Sequence, residues 1–217
     1  MSEPIIILGA SGSGKSYSQR NLDPAKTFII SVDGKRLPFK SKDWPEFSND
    51  NTDGSFYRPP KSRTYDRIKK AITCAVEKGK KSIIIDDSQY LLCNEFFQRA
   101  YEKGFDKFTE IATKFHDLID FSRTLPEDVL VYFLHHVDYD NENRMKAKTV
   151  GKMIEEKTNL EGKFTVCLFA TKQDGTHKFF CSLPDETIVK APPEMFDGEE
   201  MDNDLNKVDQ CIREFWI

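Results

Sequence analysis

The sequence predicts an α/β fold: a mostly parallel central sheet flanked by helices, with a C-terminal β-hairpin extension. Three observations predict it. Short, continuous apolar runs rich in β-branched residues recur along the chain, the pattern of strands covered on both faces. Amphipathic helical segments lie between them, and such alternation implies right-handed crossovers that place helices on both sides of a sheet. Near the C-terminus, two further runs flank an Asp-Gly turn, which is a hairpin signal.

The first run, Ile5-Ile6-Ile7-Leu8, ends at Gly9. Others are Phe28-Ile29-Ile30-Ser31-Val32, Ser82-Ile83-Ile84-Ile85 and Val129-Leu130-Val131-Tyr132-Phe133-Leu134, each finishing in a polar or acidic residue. Helical patterns occupy Lys15 to about Asn21, Thr64 to Lys78, and Glu95 to about Arg123, the last with a break expected near Gly104. Residues 33–62 lack periodicity and contain Pro38, Pro45, Gly54, Pro59 and Pro60, so they read as a long loop or small insertion. Thr165–Ala170 and His177–Cys181 flank the turn Gln173-Asp174-Gly175-Thr176. An acidic stretch, Glu194 to Asp204, leads into a last amphipathic helix from Leu205 to Phe215. The expected organisation is one domain over residues 1–217, with the hairpin and last helix in 164–217.

Hydrophobic residues make up 38% and charged residues 31%, which excludes a disordered chain. No run reaches the ~18 apolar residues of a membrane span. Met1-Ser2-Glu3-Pro4 lacks a basic region before the first apolar run, so a secretory leader is not expected and the cytoplasm is. A net charge of −4 excludes a uniformly basic surface, though not a local basic groove for nucleic acid. Cys74, Cys93, Cys167, Cys181 and Cys211 show no CxxC spacing and read as reduced, mostly buried thiols.

Gly9-Ala10-Ser11-Gly12-Ser13-Gly14-Lys15-Ser16 matches GxxxxGK[ST] at each fixed position, between a buried strand and a helical pattern. Glycines allow successive backbone N–H groups to turn toward one centre and hold phosphates at a helix N-terminus. Lys15 is expected to reach the β and γ oxygens and Ser16 to give a hydroxyl to Mg²⁺, with Tyr17 next in the nucleotide site. ATP and Mg²⁺ are the expected ligands.

Ser82–Asp87 is a buried strand ending in two carboxylates, which places an acid beside the phosphate loop to hold Mg²⁺ through water. Counting along the strand favours Asp86, whereas reading Asp-Ser as the terminal pair favours Asp87. Because neighbours on a strand point opposite ways, one is expected to face the metal, and Asp86 is taken as that ligand. Asp87 and Asp33 both remain candidates for the group that orients the attacking water.

His135-His136 ends the fourth run, where an imidazole could bond the γ-phosphate and report its loss to the following segment. That segment carries Arg144, Lys146, Lys148 and Lys152, suited to DNA phosphates or to a neighbouring subunit's nucleotide, or simply to solvent. Lys35, Arg36, Lys40 and Lys42 are interleaved with Trp44, Phe47, Phe56 and Tyr57. Cations beside aromatics suit single strands, and aromatics that anchor a loop to the core explain the pattern equally well.

Taken together, Gly9–Ser16, Ile83–Ser88, the strand ending in His135, Gly151–Lys157, Leu160–Val166, Lys190–Phe196 and Asn203-Asp204-Leu205 resemble the phage family of RecA-like, AAA-type nucleotide-binding proteins, which includes the Sak-type single-strand annealing proteins. The resemblance implies an ATPase core that forms rings or filaments, acts on single-stranded DNA, works with a single-strand-binding protein and resides in the host cytoplasm. It also implies that Lys152 is a finger entering the adjacent protomer's site and that His135 senses the γ-phosphate. The chain departs from the family in its doubled aspartate and in lacking a Glu after the second strand. Two other readings suit the phosphate loop: a kinase for a nucleoside or other small molecule, and a non-catalytic, nucleotide-gated partner of replication proteins.

Overall fold

The computed structural model describes residues 1–151, 159–184, 186 and 188–217. Its centre is β1 (Pro4–Gly9), every residue of which is buried. Parallel partners lie on either side: β5 (Leu130–Tyr139) and β7 (Val166–Gln173). Beyond β5 come β4 (Ser82–Asp86), β2 (Thr27–Ser31) and the short β3 (Phe56–Tyr57), all parallel. Beyond β7 the sheet turns antiparallel through β8 (Thr176–Phe180) and β9 (Glu200–Asp202). A further strand, β6 (Met145–Ala147), folds back on the end of β5. This is the expected mostly parallel α/β sheet with its C-terminal hairpin.

The two-residue period of β1 divides the core. Ile6 and Leu8 face a cluster completed by α1 (Thr64–Glu77), α2 (Gln89–Gln98) and α3 (Asp106–Arg123), through Ile68, Ile72, Leu91, Phe115 and Leu118. Ile5 and Ile7 face the opposite cluster, closed by Leu205, Val208 and Ile212 of α4 (Leu205–Trp216). Each such side chain, removed fully from water, contributes about 1.5–3 kcal/mol. A buried polar network ties α4 to the sheet: Asp209 Oδ1 accepts from Ser82 Oγ at 2.8 Å and from the Tyr132 hydroxyl at 2.9 Å. The Asp204 side chain caps α4 by accepting from the Asn206 N–H.

Several expectations need correction. The segment after the phosphate loop, expected to be helical from Lys15 to about Asn21, is a 3-10 helix over Tyr17–Asn21. Pro24 disfavours helical backbone at Asp23, and serine and asparagine are poor helix formers, so the turn ends early. Helix α2 begins at Gln89, ahead of the expected Glu95, and the break before α3 centres on Gly104 at φ 93°. Strand β5 runs on to Tyr139 and makes a hairpin with β6, where a polar loop was expected. Residues 33–62 contain β3, and their aromatics are structural: Trp44 and Phe56 are buried, while Phe47 and Tyr57 pack around Phe28. The expected Asp-Gly turn is observed, with Asp174 at φ 49° and Gly175 at φ 81°. All five cysteines are free, but only Cys167 and Cys181 are buried. Among the described residues, no helix is long and apolar enough to cross a membrane.

Candidate functional site

Parallel packing delivers the carboxyl ends of β1, β4 and β2 to one edge of the sheet. Register then places the acids: Ser31 pairs with Asp86, and one strand over, β5 aligns Leu8 with His135 and Gly9 with His136. A cavity of about 320 Å³ opens at this edge, lined by Ser11 to Tyr17 and by Lys35, Asp86, Asp87, Tyr90, His136 and His177, among others.

The phosphate loop forms one wall. Gly9 ends β1 where an added Cβ would lie 2.6 Å from the Ala170 carbonyl oxygen, so only glycine fits between the strands. Gly14 has φ 97°, and a Cβ there would lie 2.9 Å from His177 Nδ1. These turns leave the N–H groups of Ser11, Gly12, Gly14, Lys15 and Ser16 without a backbone acceptor among the described residues, whereas Ser13 N–H bonds Ala10. Unpaired amides converging on a concave surface form an anion nest. With only a five-residue 3-10 helix behind it, the loop gains little from a helix dipole, so amides and side chains carry the attraction.

Lys15 is buried, and its ammonium donates to the carbonyls of Gly9 at 2.7 Å and Ala10 at 2.9 Å. Burial lowers its pKa to about 8 against the nearby charges of Asp87 and Asp86, with Lys35 lowering it further. Ser16 Oγ donates to Asp86 Oδ1 at 2.9 Å, and Gln19 Nε2 donates to Asp86 Oδ2 at 3.1 Å. Burial, and then the charge of Asp87, push the Asp86 carboxyl up to about 6, while those hydrogen bonds and Lys15 oppose the rise.

Asp87 stands at the site beside Asp86, where a candidate for orienting water has to be, but strand alternation is not what puts it there. The strand ends at Asp86, and Asp87 sits in the left-handed region at φ 60°, so both residues line the cavity. Burial alone would raise the Asp87 carboxyl, but bonds from His136 and Lys35 and the Lys35 charge outweigh it and hold it at about 2. Lys35 Nζ lies 2.9 Å from Asp87 and 3.2 Å from Asp33, so the two candidate water-orienting groups share one cation. Asp33 does not itself line the cavity.

The placement of His135 also needs correction. Its ring is fully buried against Phe115, with Nε2 donating to the Lys148 carbonyl and Nδ1 accepting from the Ser88 hydroxyl, each at 2.8 Å. Burial lowers its pKa to about 4. It therefore links the end of β4 to the segment after β6, and of these two adjacent imidazoles it is that of His136 that lines the cavity. Lys152 lies outside the described residues. Arg144 is committed to Asp140 and Glu142 of its own hairpin.

Sequence reasoning missed Gln19, Lys35, Tyr90, His136 and His177 as site residues. No motif announces Gln19, Tyr90 or His177, which arrive through tertiary packing. Lys35 was visible as a cation following a strand end, and His136 as one of a pair.

The donor set fits Mg²⁺. A hydroxyl and a carboxylate 2.9 Å apart supply hard oxygen ligands, and Mg²⁺ characteristically takes few protein ligands alongside water and phosphate.

Comparison with known proteins yields no matching family model and no matching curated protein. Among solved structures, the chain is similar to an ATPase from the type III secretion system of pathogenic bacteria, at TM-score 0.48 and 15% identity over 77% of this chain and 50% of that one. It is also similar to the genome packaging NTPase B204 from Sulfolobus turreted icosahedral virus 2, determined with AMPPCP, at TM-score 0.41 and 13% identity over 77% and 74%. The chain spans half the length of the first of these.

Proposed function

We propose that this chain is a Mg²⁺-dependent ATPase of the RecA-like phage type, one domain that binds single-stranded DNA and promotes strand annealing as a ring or filament in the cytoplasm. The observation that carries the nucleotide reading is the joining of a nest of unpaired amides to a buried acid through the 2.9 Å bond from Ser16 to Asp86. A strand-to-helix turn with no ligand has no need of a desolvated carboxylate at that point.

Ser16 and Asp86 would hold Mg²⁺, which, when bound, neutralises charge on the β and γ phosphates. The amides of Ser11, Gly12, Gly14, Lys15 and Ser16 and the Lys15 ammonium orient the phosphates, and Asp87, which lines the cavity, is the carboxylate for orienting water, with Asp33 paired to Lys35. Proton transfer and positioning of that kind contribute about 10²–10⁴-fold in rate. His135 joins Ser88 to the segment leading toward Lys152, which supports a route from the site to a finger in the adjacent protomer.

Support for the single-strand reading comes from the motif resemblance and from a surface the sequence did not single out. Phe97 in the last turn of α2, and Tyr101 and Phe105 between α2 and α3, are 71%, 99% and 69% exposed, and Lys103 lies between the last two in sequence. Exposed rings next to cations suit base stacking.

The test is ATP hydrolysis with and without single-stranded DNA, with light scattering for mass and chromatography of products. Free phosphate, stimulation by DNA and a mass above the monomer support the proposal. A phosphorylated small molecule would transfer the site to the kinase reading.

A further inference from the structure

We propose that Lys35 is a second phosphate-binding cation of this site, supplied in cis and directed at the terminal phosphate of the bound nucleotide. The inference rests on the nucleotide-binding reading above and names a residue which the phosphate-loop motif does not include.

The local chain fixes where Lys35 stands. Strand β2 ends at Ser31, in register with Asp86, so the residues that follow emerge at the same sheet edge as the acids. Gly34, at φ 72°, closes a tight turn in which its N–H bonds the Ser31 carbonyl, and Ser31 Oγ bonds the Lys35 carbonyl at 3.1 Å. The side chain is steered from three sides: Asp87 at 2.9 Å, Asp33 at 3.2 Å and the Tyr90 ring, whose centroid is 5.0 Å away.

Its position complements that of Lys15. The Lys15 ammonium is buried against the loop carbonyls, whereas the Lys35 side chain is 56% exposed and lines the same cavity from the segment after β2. A triphosphate seated on the loop amides has its reacting end on the acid side, near Asp86 and Asp87, where Lys35 is the adjoining cation. Arg36 lines the cavity as well, but Lys35 is the one anchored to Asp87 and Asp33.

The chemistry assigned to Lys35 is electrostatic. When water attacks the γ-phosphorus, an O–P bond forms, the bond to the β-bridging oxygen breaks, and that oxygen leaves with the electron pair. The water proton passes to a carboxylate or a phosphate oxygen. Lys35 makes and breaks no covalent bond; it bonds a terminal-phosphate oxygen and stabilises the charge spread over that group.

The test uses the full chain as wild type, Lys35→Ala and Lys35→Arg. Affinities for Mg²⁺ with a non-hydrolysable ATP analogue and with ADP are measured by equilibrium titration, and turnover by phosphate release. For Lys35→Ala the preference for triphosphate over diphosphate falls about 10-fold or more and any wild-type turnover falls about 10²-fold, the scale of one lost transition-state donor. ADP affinity stays within threefold, and Lys35→Arg restores most of the triphosphate preference. An unchanged triphosphate-to-diphosphate ratio in Lys35→Ala overturns the inference while leaving the nucleotide site standing. Failure of the wild type to bind either nucleotide overturns the nucleotide reading itself. The cis assignment is read by mixing Lys15→Ala with Lys35→Ala: no recovery of turnover supports it, and recovery overturns it.

Discussion

Ser16 and Asp86 lie seventy residues apart in sequence and are joined by a hydrogen bond of 2.9 Å. The hydroxyl belongs to the phosphate loop and the carboxylate to the end of β4, with β5 running between the strands that bear them. Asp86 is buried, so its charge is tolerable where donors and a cation surround it, and Gln19 and Lys15 complete that environment.

Asp86→Asn is expected to keep the bond from Ser16, with the Gln19 amide turned so that its oxygen accepts from the new amide N–H, while removing the charge that Mg²⁺ requires. The Mg²⁺ concentration for half-maximal ATP binding should rise about 10-fold or more, the scale of a lost charged ligand. Titration of Mg²⁺ at fixed nucleotide checks this, and an unshifted midpoint would remove Asp86 from the metal site.

Lys15→Ala is expected to abolish measurable nucleotide binding and leave the fold intact. The ammonium bonds two loop carbonyls, so the cost to stability is at most that of two hydrogen bonds from a charged donor, about 1.5–3 kcal/mol each, offset by relief of the burial of its charge. Circular dichroism should match wild type while nucleotide titration is flat.

Asp87→Asn and Asp33→Asn separate the two candidates for orienting water. Asp87 lines the cavity and Asp33 does not, so the Asp87 variant should lose about 10²–10⁴-fold in turnover with little change in ATP affinity. The reverse order of effects would assign the role to Asp33.

Acid should expose the buried His135. Its folded pKa of about 4 lies below its ordinary 6.5, so the unfolded chain takes up the proton first. Its contribution is fully present above pH 6.5 and is lost as pH falls toward 4, by about 3 kcal/mol in all. Asp86, raised to about 6, acts with the opposite sign between pH 6 and 4 and partly offsets this. Urea unfolding of the wild type and His135→Gln at pH 7 and 5 isolates the effect: the loss between the two pH values should be smaller in the variant.

Asp209→Ala serves as a structural contrast, because it breaks the buried network holding Ser82, Tyr132 and Arg213 far from the phosphate loop. It should destabilise the fold by about 3–5 kcal/mol, the cost of stranding buried partners. Any protein that still folds should bind ATP as wild type does.

What could be read in the sequence follows the range of the forces involved. The strands at Ile5–Leu8 and Ser82–Ile85, the helix beginning at Thr64 and the Asp-Gly turn depend on local pattern and backbone preference, and they are observed near the expected bounds. The phosphate loop was legible because its glycines answer a backbone demand. How Asp87 reaches the cavity was not legible, because alternation applies only within a strand, and a left-handed residue follows the last paired one. His135 was misjudged because the orientation of adjacent imidazoles depends on which packs against Phe115. The aromatics of residues 33–62 resembled a binding surface, but burial around Phe28 accounts for Phe47 and Tyr57.

Equilibrium dialysis of the wild-type chain against Mg²⁺ and ATP tests the central claim most directly. The account predicts saturable binding of one nucleotide per chain, lost in Lys15→Ala and dependent on Mg²⁺ through Asp86. Equal nucleotide concentrations on both sides of the membrane, at protein concentrations well above the expected dissociation constant, would contradict it.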